Sequence, residues 1–194
     1  MKIDRLVVAS KNPHKIREIA EVLAGSGLRV ELVDGLAWPD IEETGETLEE
    51  NALLKAHEVY AATGIPSLAD DTGLFVDALG GLPGVNTARF AGPNATYADN
   101  VARLIEELKG IEDRAASFRT VVALVSDDDE LVAEGVLAGS IAHAPRGSGG
   151  FGYDPVFEVS SGRTLAELDT DEKNLLSHRA MALRTLFDQL HRPE

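Results

Sequence analysis

The chain has 194 residues, 44% of them hydrophobic, and carries 33 acidic against 18 basic side chains, a formal net charge of −15. That length supports one globular unit with a real core, and that charge opposes non-specific attraction to a nucleic-acid polymer or an anionic membrane, while leaving room for a small anion in a cleft lined by local cations and a divalent metal. With no cysteine there are no disulfides, thiolate chemistry or cysteine-ligated metals, and with no apolar run suited to a signal peptide or a membrane span a cytoplasmic protein is expected.

Leu6 to Ala9 is a short continuous apolar run, the pattern of a strand buried on both faces. Asn12 followed by Pro13 then supplies a helix cap and a favoured first helical residue, and Ile16, Ile19, Ala20 and Leu23 recur on one helix face. Gly25 and Gly27 end that helix and Val30 to Val33 reads as a second strand, so the chain opens with a βαβ-like unit and an α/β fold is predicted. Thr47 and Glu50 form a capping box for a helix to about Thr63, closed by Gly64 and Pro66. Ser67 to Ala69 is the next strand, ending in Asp70-Asp71-Thr72-Gly73. A Gly- and Pro-rich loop spans Gly80 to Pro93, and Thr96 caps a helix through Leu108. Phe118 to Val125 and Leu131 to Leu137 read as a hairpin around the polar tip Asp127 to Glu130, and from Thr170 one helix is expected, with Leu176, Ala180, Leu183, Phe187 and Leu190 on one side. No repeat, low-complexity tract or linker divides the chain.

Five groups carry chemistry. Ser10-Lys11-Asn12-Pro13-His14-Lys15 joins a strand to a helix N-terminus, where backbone N–H groups and the helix dipole favour an anion; an ordinary capped helix with solvated basic residues explains the same letters, and the Walker spacing is absent. Among the acidic residues before and inside the second helix, Glu49 and Glu50 suit its dipole, whereas Glu42 needs another partner; Asn51 and Lys55 lie one turn apart on one face. Asp70-Asp71 at a strand end can hold a hard cation such as Mg²⁺ or form a surface turn, and since neighbours on a strand point to opposite faces, only one aspartate readily faces a given site. In Gly147-Ser148-Gly149-Gly150-Phe151-Gly152-Tyr153-Asp154-Pro155, glycines permit close backbone approach and an aromatic ring can stack on a planar ligand; a hairpin loop whose rings cap the core is the alternative. Lys173 with Ser177-His178-Arg179 forms a basic cluster able to bind phosphates or a purine carbonyl, although His178 alone reads as structural.

Taken in order, Ser10-x-Asn12-x-x-Lys15, Glu42-x-x-Gly45-x-Thr47, Glu50-Asn51-Ala52-x-x-Lys55-Ala56, Ala69-Asp70-Asp71-Thr72-Gly73-Leu74, Gly80-Gly81-x-Pro83-Gly84, Gly149-Gly150-Phe151-Gly152-Tyr153-Asp154-Pro155 and Lys173-x-x-x-Ser177-His178-Arg179 resemble the inosine triphosphate pyrophosphatase, or HAM-like, family, which removes non-standard purine triphosphates such as ITP, dITP and XTP from the nucleotide pool. The resemblance runs from Leu6 to about Leu190. It implies a single pyrophosphatase domain over 1–194, an elongated mixed β-sheet flanked by helices in two lobes with the site between them, Mg²⁺ as cofactor, and a homodimer. It implies that Ser10, Lys11, Asn12, Pro13, His14 and Lys15 bind the triphosphate, with Ser10 where bacterial relatives often have Thr and Lys11 in place of a common Gly. Glu42 and Asp71 match the metal carboxylates, and Asp71 the proton acceptor, with Asp70 and Glu42 as alternates for that base. Lys55 and Thr72 match substrate contacts, Phe151, Gly152, Tyr153 and Asp154 the base pocket, Lys173, His178 and Arg179 contacts to base and phosphates, and Arg89 a substrate-facing basic position. A 6-keto purine would accept hydrogen bonds from His178 or Arg179, whereas adenine's amino group would leave those donors unpaired. A pyrophosphatase for modified pyrimidine or methylated nucleotides is the related alternative; a non-catalytic nucleotide-binding module is the other class, against which Glu42, Asp71, Lys15 and Lys55 together argue.

Overall fold

The computed structural model describes residues 3–190 apart from 128, so Asp128 of the predicted hairpin tip lies outside the described residues. Seven strands, β1 (Arg5–Val8), β2 (Glu31–Leu32), β3 (Ser67–Val76), β4 (Pro83–Gly84), β5 (Ala115–Val125), β6 (Glu130–Ile141) and β7 (Phe157–Glu158), form one sheet in the order β2-β1-β3-β5-β6-β7, with β4 paired to β3. β1 is parallel to β2 and β3, with Leu6 opposite Leu32 and Val7 opposite Ser67, whereas β3/β4 and β6/β7 are antiparallel. The sheet is therefore mixed. The helices are α1 (Pro13–Gly25), α2 (Leu48–Thr63), α3 (Tyr97–Glu107), α4 (Thr170–Leu176) and α5 (His178–Leu190), and the fold is α/β as predicted.

The chain forms two compact units, one from the segment ending at Asp71 with Thr120–Gly135 and the segment starting at His178, the other from Thr72–Arg119 and Val136–Ser177. The first has a core of Leu6, Val8, Ile19, Leu23, Leu68, Val122, Leu124, Leu183, Leu186 and Phe187. The second packs Leu74, Val76, Leu104, Leu108, Phe118, Ile141, Tyr153, Val156, Phe157 and Leu165. Each large side chain fully buried in these clusters contributes about 1.5–3 kcal/mol.

The predicted caps are in place: Asn12 accepts from the His14 N–H at the start of α1, and Thr47 with Glu50, and Thr96 with Asp99, close reciprocal capping boxes on α2 and α3. Several boundaries differ from the sequence reading: β2 is shorter than Val30 to Val33, β5 starts at Ala115 before Phe118, β6 runs on to Ile141 past Leu137, and three further differences change the description of an element. β3 does not stop at Ala69 but continues through Asp70 and Asp71 to Val76, because Leu74 and Val76 carry the apolar pattern onward and both carboxylates find cationic partners inside the fold. The Gly80 to Pro93 loop contains β4 and a single 3₁₀ turn, Thr87–Arg89. The expected single C-terminal helix is two, since Ser177 takes an extended backbone (φ −67°, ψ 146°) between α4 and α5, the conformation a serine favours at the start of a new helix.

Candidate active site

In the first unit the chemistry gathers around two neighbours on β3. Alternation along the strand sends Asp70 and Asp71 to opposite faces. Asp70, 1% exposed, receives Lys15 Nζ at 3.0 Å from α1 and Arg179 Nε at 3.1 Å from α5, and Arg179 Nη1 in turn pairs with Glu18 of α1. Two cations and two anions thus meet around a buried carboxylate, the pairing that makes buried charge tolerable. Burial pushes the Asp70 carboxyl up, but Lys15, Arg179 and Lys55 together hold it well below the usual carboxylate range.

Asp71 meets a different set. Lys55 Nζ of α2 lies 3.0 Å from its Oδ1 and 2.6 Å from Glu43, and Asn51 Nδ2 donates to its Oδ2 at 3.4 Å. Burial raises the Asp71 carboxyl above its ordinary value; Lys55 pulls it back and Glu43 adds to the rise. One ammonium between two carboxylates leaves surplus negative charge of the kind a hard divalent cation neutralises. Asn51 also accepts the Gly45 N–H at 2.8 Å, which ties the loop bearing Glu42 and Glu43 to the helix that faces Asp71.

The loop from β1 to α1 is built by local hydrogen bonds. Ser10 Oγ accepts from the Asn12 N–H at 3.2 Å, Asn12 Oδ1 accepts from the His14 N–H at 3.0 Å, and Pro13 opens the helix without needing an N–H partner. Lys15 turns inward to Asp70, whereas Lys11 pairs with exposed Asp40. His178, 5% exposed, opens α5 with its Nδ1 2.6 Å from the Thr120 hydroxyl.

In the second unit the glycine-rich segment folds around Asp154. Its Oδ2 accepts from the Phe151 N–H at 2.8 Å and from Lys173 Nζ at 2.9 Å. Gly150 has φ +69°, and a Cβ there would sit 2.0 Å from Asp154 Oδ2, so only glycine lets the carboxylate close the turn. The two rings part company. Tyr153 is buried in the core, its hydroxyl donating to the Thr87 carbonyl at 3.0 Å, and burial pushes its phenol pKa up. Phe151 remains half-buried, with Lys173 Nζ 5.1 Å from its ring centroid and Tyr97 tilted at 6.0 Å. Of the two rings, Phe151 is the less buried.

The sequence-named residues are therefore distributed as follows. Lys15, Asp70 and Arg179 share one network, Lys55 and Asp71 another, and Phe151, Asp154 and Lys173 a third in the second unit. Thr72 follows Asp71 on β3, and Arg89 is exposed, its Nε donating to Asn86. Glu42 is exposed; the adjacent Glu43 is the glutamate on Lys55. Among the described residues no three His, Cys, Asp or Glu side chains cluster as a metal cage. Glu43 belongs to the acidic group before the second helix, where the sequence points to its neighbour Glu42, whereas Glu18 and Thr120 stand outside every sequence motif. Of those two, only Glu18 left a trace: it lies one turn from Lys15, beside the apolar stripe, where a carboxylate needs a cation.

The chain matches the Ham1 family over residues 6–189. It is 49% identical over 186 residues to the dITP/XTP pyrophosphatase of Thermoanaerobacter sp. (strain X514), covering 94% of each chain, and 49% identical over 191 residues to that of Geobacter sulfurreducens, covering 96% of each. Among solved structures, a HAM1 protein from Coxiella burnetii superposes with a TM-score of 0.87 at 45% identity, over 97% of this chain and 98% of that one. The nucleoside-triphosphatase / dITP/XTP pyrophosphatase from Mycobacterium abscessus gives 0.75 at 45% identity, over 96% and 100%. With sequence and fold in agreement along nearly its whole length, this chain belongs to the Ham1 family.

Proposed function

We propose that this protein hydrolyses non-standard purine nucleoside triphosphates, ITP, dITP and XTP, to the nucleoside monophosphate and pyrophosphate, cleansing the cytoplasmic nucleotide pool before such bases enter DNA or RNA. The full-length likeness to proteins named dITP/XTP pyrophosphatase supports the reaction. The observation that carries the chemistry is the division of labour on β3, with Asp70 paired to two cations and Asp71 shifted upward beside a lysine.

In this reading residues 1–194 act as one catalytic domain, a view supported by a single family match across both units. Glu42 and Asp71 would hold Mg²⁺, whose charge, when bound, draws density from the phosphate oxygens. The Ser10–Lys15 backbone and the Lys15 ammonium take the triphosphate, and Lys55 offsets charge developing near Asp71. A water attacks the α-phosphorus, Asp71 accepts its proton, and the bond to the bridging oxygen breaks to release pyrophosphate. Asp71 suits the base role better than Asp70, since a carboxylate held far below its usual range is a poor proton acceptor. Phe151 stacks on the purine, with Gly152 and Tyr153 shaping the turn and Asp154 and Lys173 holding it. His178 and Arg179 favour a 6-keto group over a 6-amino group. We further propose that the protein is a homodimer in solution, to be checked by mass measurement.

Mg²⁺-dependent release of pyrophosphate from dITP or XTP tests the reading. Turnover of neither substrate overturns the enzyme, and orthophosphate in place of pyrophosphate overturns the cleavage site.

A further inference from the structure

The first turn of α5 is held at two points for which the reaction has no evident need. Gly135 of β6 carries no side chain where an ideal Cβ would lie 2.1 Å from the His178 carbonyl oxygen and 2.5 Å from the Ala182 nitrogen, so β6 and the start of α5 meet backbone to backbone. From β5, Thr120, with 0% exposure, places its hydroxyl oxygen 2.6 Å from His178 Nδ1. The main chain and the ring of His178 are therefore both immobilised inside the first unit.

A neutral imidazole has one donor and one acceptor nitrogen, and the partner of one decides what the other offers. A hydroxyl that donates to Nδ1 leaves the proton on Nε2, which then acts as a donor. A hydroxyl that accepts from Nδ1–H leaves Nε2 an acceptor. The distinction matters for purines, because a 6-oxopurine presents an acceptor where a 6-aminopurine presents a donor. Only the first arrangement matches the oxo group, and it leaves a buried donor unpaired against the amino group.

We propose that Thr120 donates its hydroxyl proton to His178 Nδ1, keeps the His178 proton on Nε2, and is thereby a specificity-determining positioning residue for 6-oxopurine bases. The inference rests on the reading of His178 as a base contact. Thr120 acts only through the ring, so its effect is on discrimination between bases and not on phosphate chemistry.

Long-range ¹H–¹⁵N correlation spectra of histidine-labelled protein report the tautomer without turnover, the His178 signals being identified by their loss in His178→Gln. The Nε2–H form is expected in the wild type and in Thr120→Ser, which keeps the hydroxyl, and a mixture of forms in Thr120→Val, which keeps the shape. In parallel, the ratio of kcat/KM for dITP over dATP should fall about tenfold in Thr120→Val, the scale of one hydrogen bond, mainly through KM for dITP, and recover in Thr120→Ser. An Nδ1–H spectrum in a wild type that turns over dITP overturns the Thr120 assignment alone, as does an unchanged ratio in folded Thr120→Val. Where Thr120→Val does not fold, the wild-type and Thr120→Ser spectra still decide. Failure of the wild type to turn over dITP overturns the reaction and the specificity role with it.

Discussion

Asp70 and Asp71 are adjacent in the chain and differ in everything the fold adds. Asp70 lies between Lys15 and Arg179, and its lowered carboxyl contributes stability above the unfolded-state value of about 3.9 that is lost as pH falls through the folded value. Asp70→Asn should therefore destabilise at pH 7 by about 3–5 kcal/mol, because it leaves buried Arg179 and partly buried Lys15 short of an anion. Its acid limb below about pH 4 should be flatter than that of the wild type; denaturant titrations across that range check both. Asp71 has the opposite sign. Its raised carboxyl means that ionisation is disfavoured in the fold, a penalty that develops as pH rises above the unfolded value and is still present at neutral pH. Asp71→Asn should thus abolish turnover, a loss of at least about 10²-fold expected of a general base, while keeping or slightly raising the unfolding midpoint. Near-normal activity in that variant would remove Asp71 from the mechanism.

At the scale of elements, periodicity and caps were legible where local rules act alone, and failed where distant groups intervene. The capping boxes on α2 and α3 need only residues three apart, so Thr47, Glu50 and Thr96 announce them directly. The sequence ends β3 early because two charged residues normally end a buried strand; its continuation depends on lysines and an arginine from three helices. The break at Ser177 is invisible to periodicity because the apolar spacing runs on through it. The backbone contact between β6 and α5 leaves no trace in sequence beyond one glycine inside a strand. A methyl group at Gly135 has nowhere to go, since the atoms it would meet are main chain. Gly135→Ala should cost about 3 kcal/mol or more, read as a lowered denaturation midpoint, and a variant within about 0.5 kcal/mol of the wild type, the range of ordinary surface changes, would contradict that contact.

For the molecule as a whole, the charge of −15 predicts self-repulsion that salt relieves. The melting temperature should rise between about 20 mM and about 200 mM NaCl, where the Debye length shortens from roughly 20 Å to below 10 Å; a fall would mean that exposed ion pairs outweigh the net charge. MgCl₂ at matched ionic strength should raise it further in the wild type and not in Asp71→Asn, because a ligand of the native state stabilises it by mass action. By itself the sequence determined the α/β class, the helix starts, the acidic character and the order of motifs that mark the Ham1 family, since each follows from short-range spacing or from composition. Only the tertiary structure decided which aspartate sits between two cations and which is shifted upward beside a lysine, that Glu43 sits on Lys55, that Tyr153 belongs to the core while Phe151 stays half-buried against Lys173, and that Thr120 meets His178. The physical reason is reach: Arg179 meets Asp70 across 109 residues of chain and Tyr153 meets Thr87 across 66, and the sign of a carboxyl's shift depends on which charges and how much burial arrive with such partners.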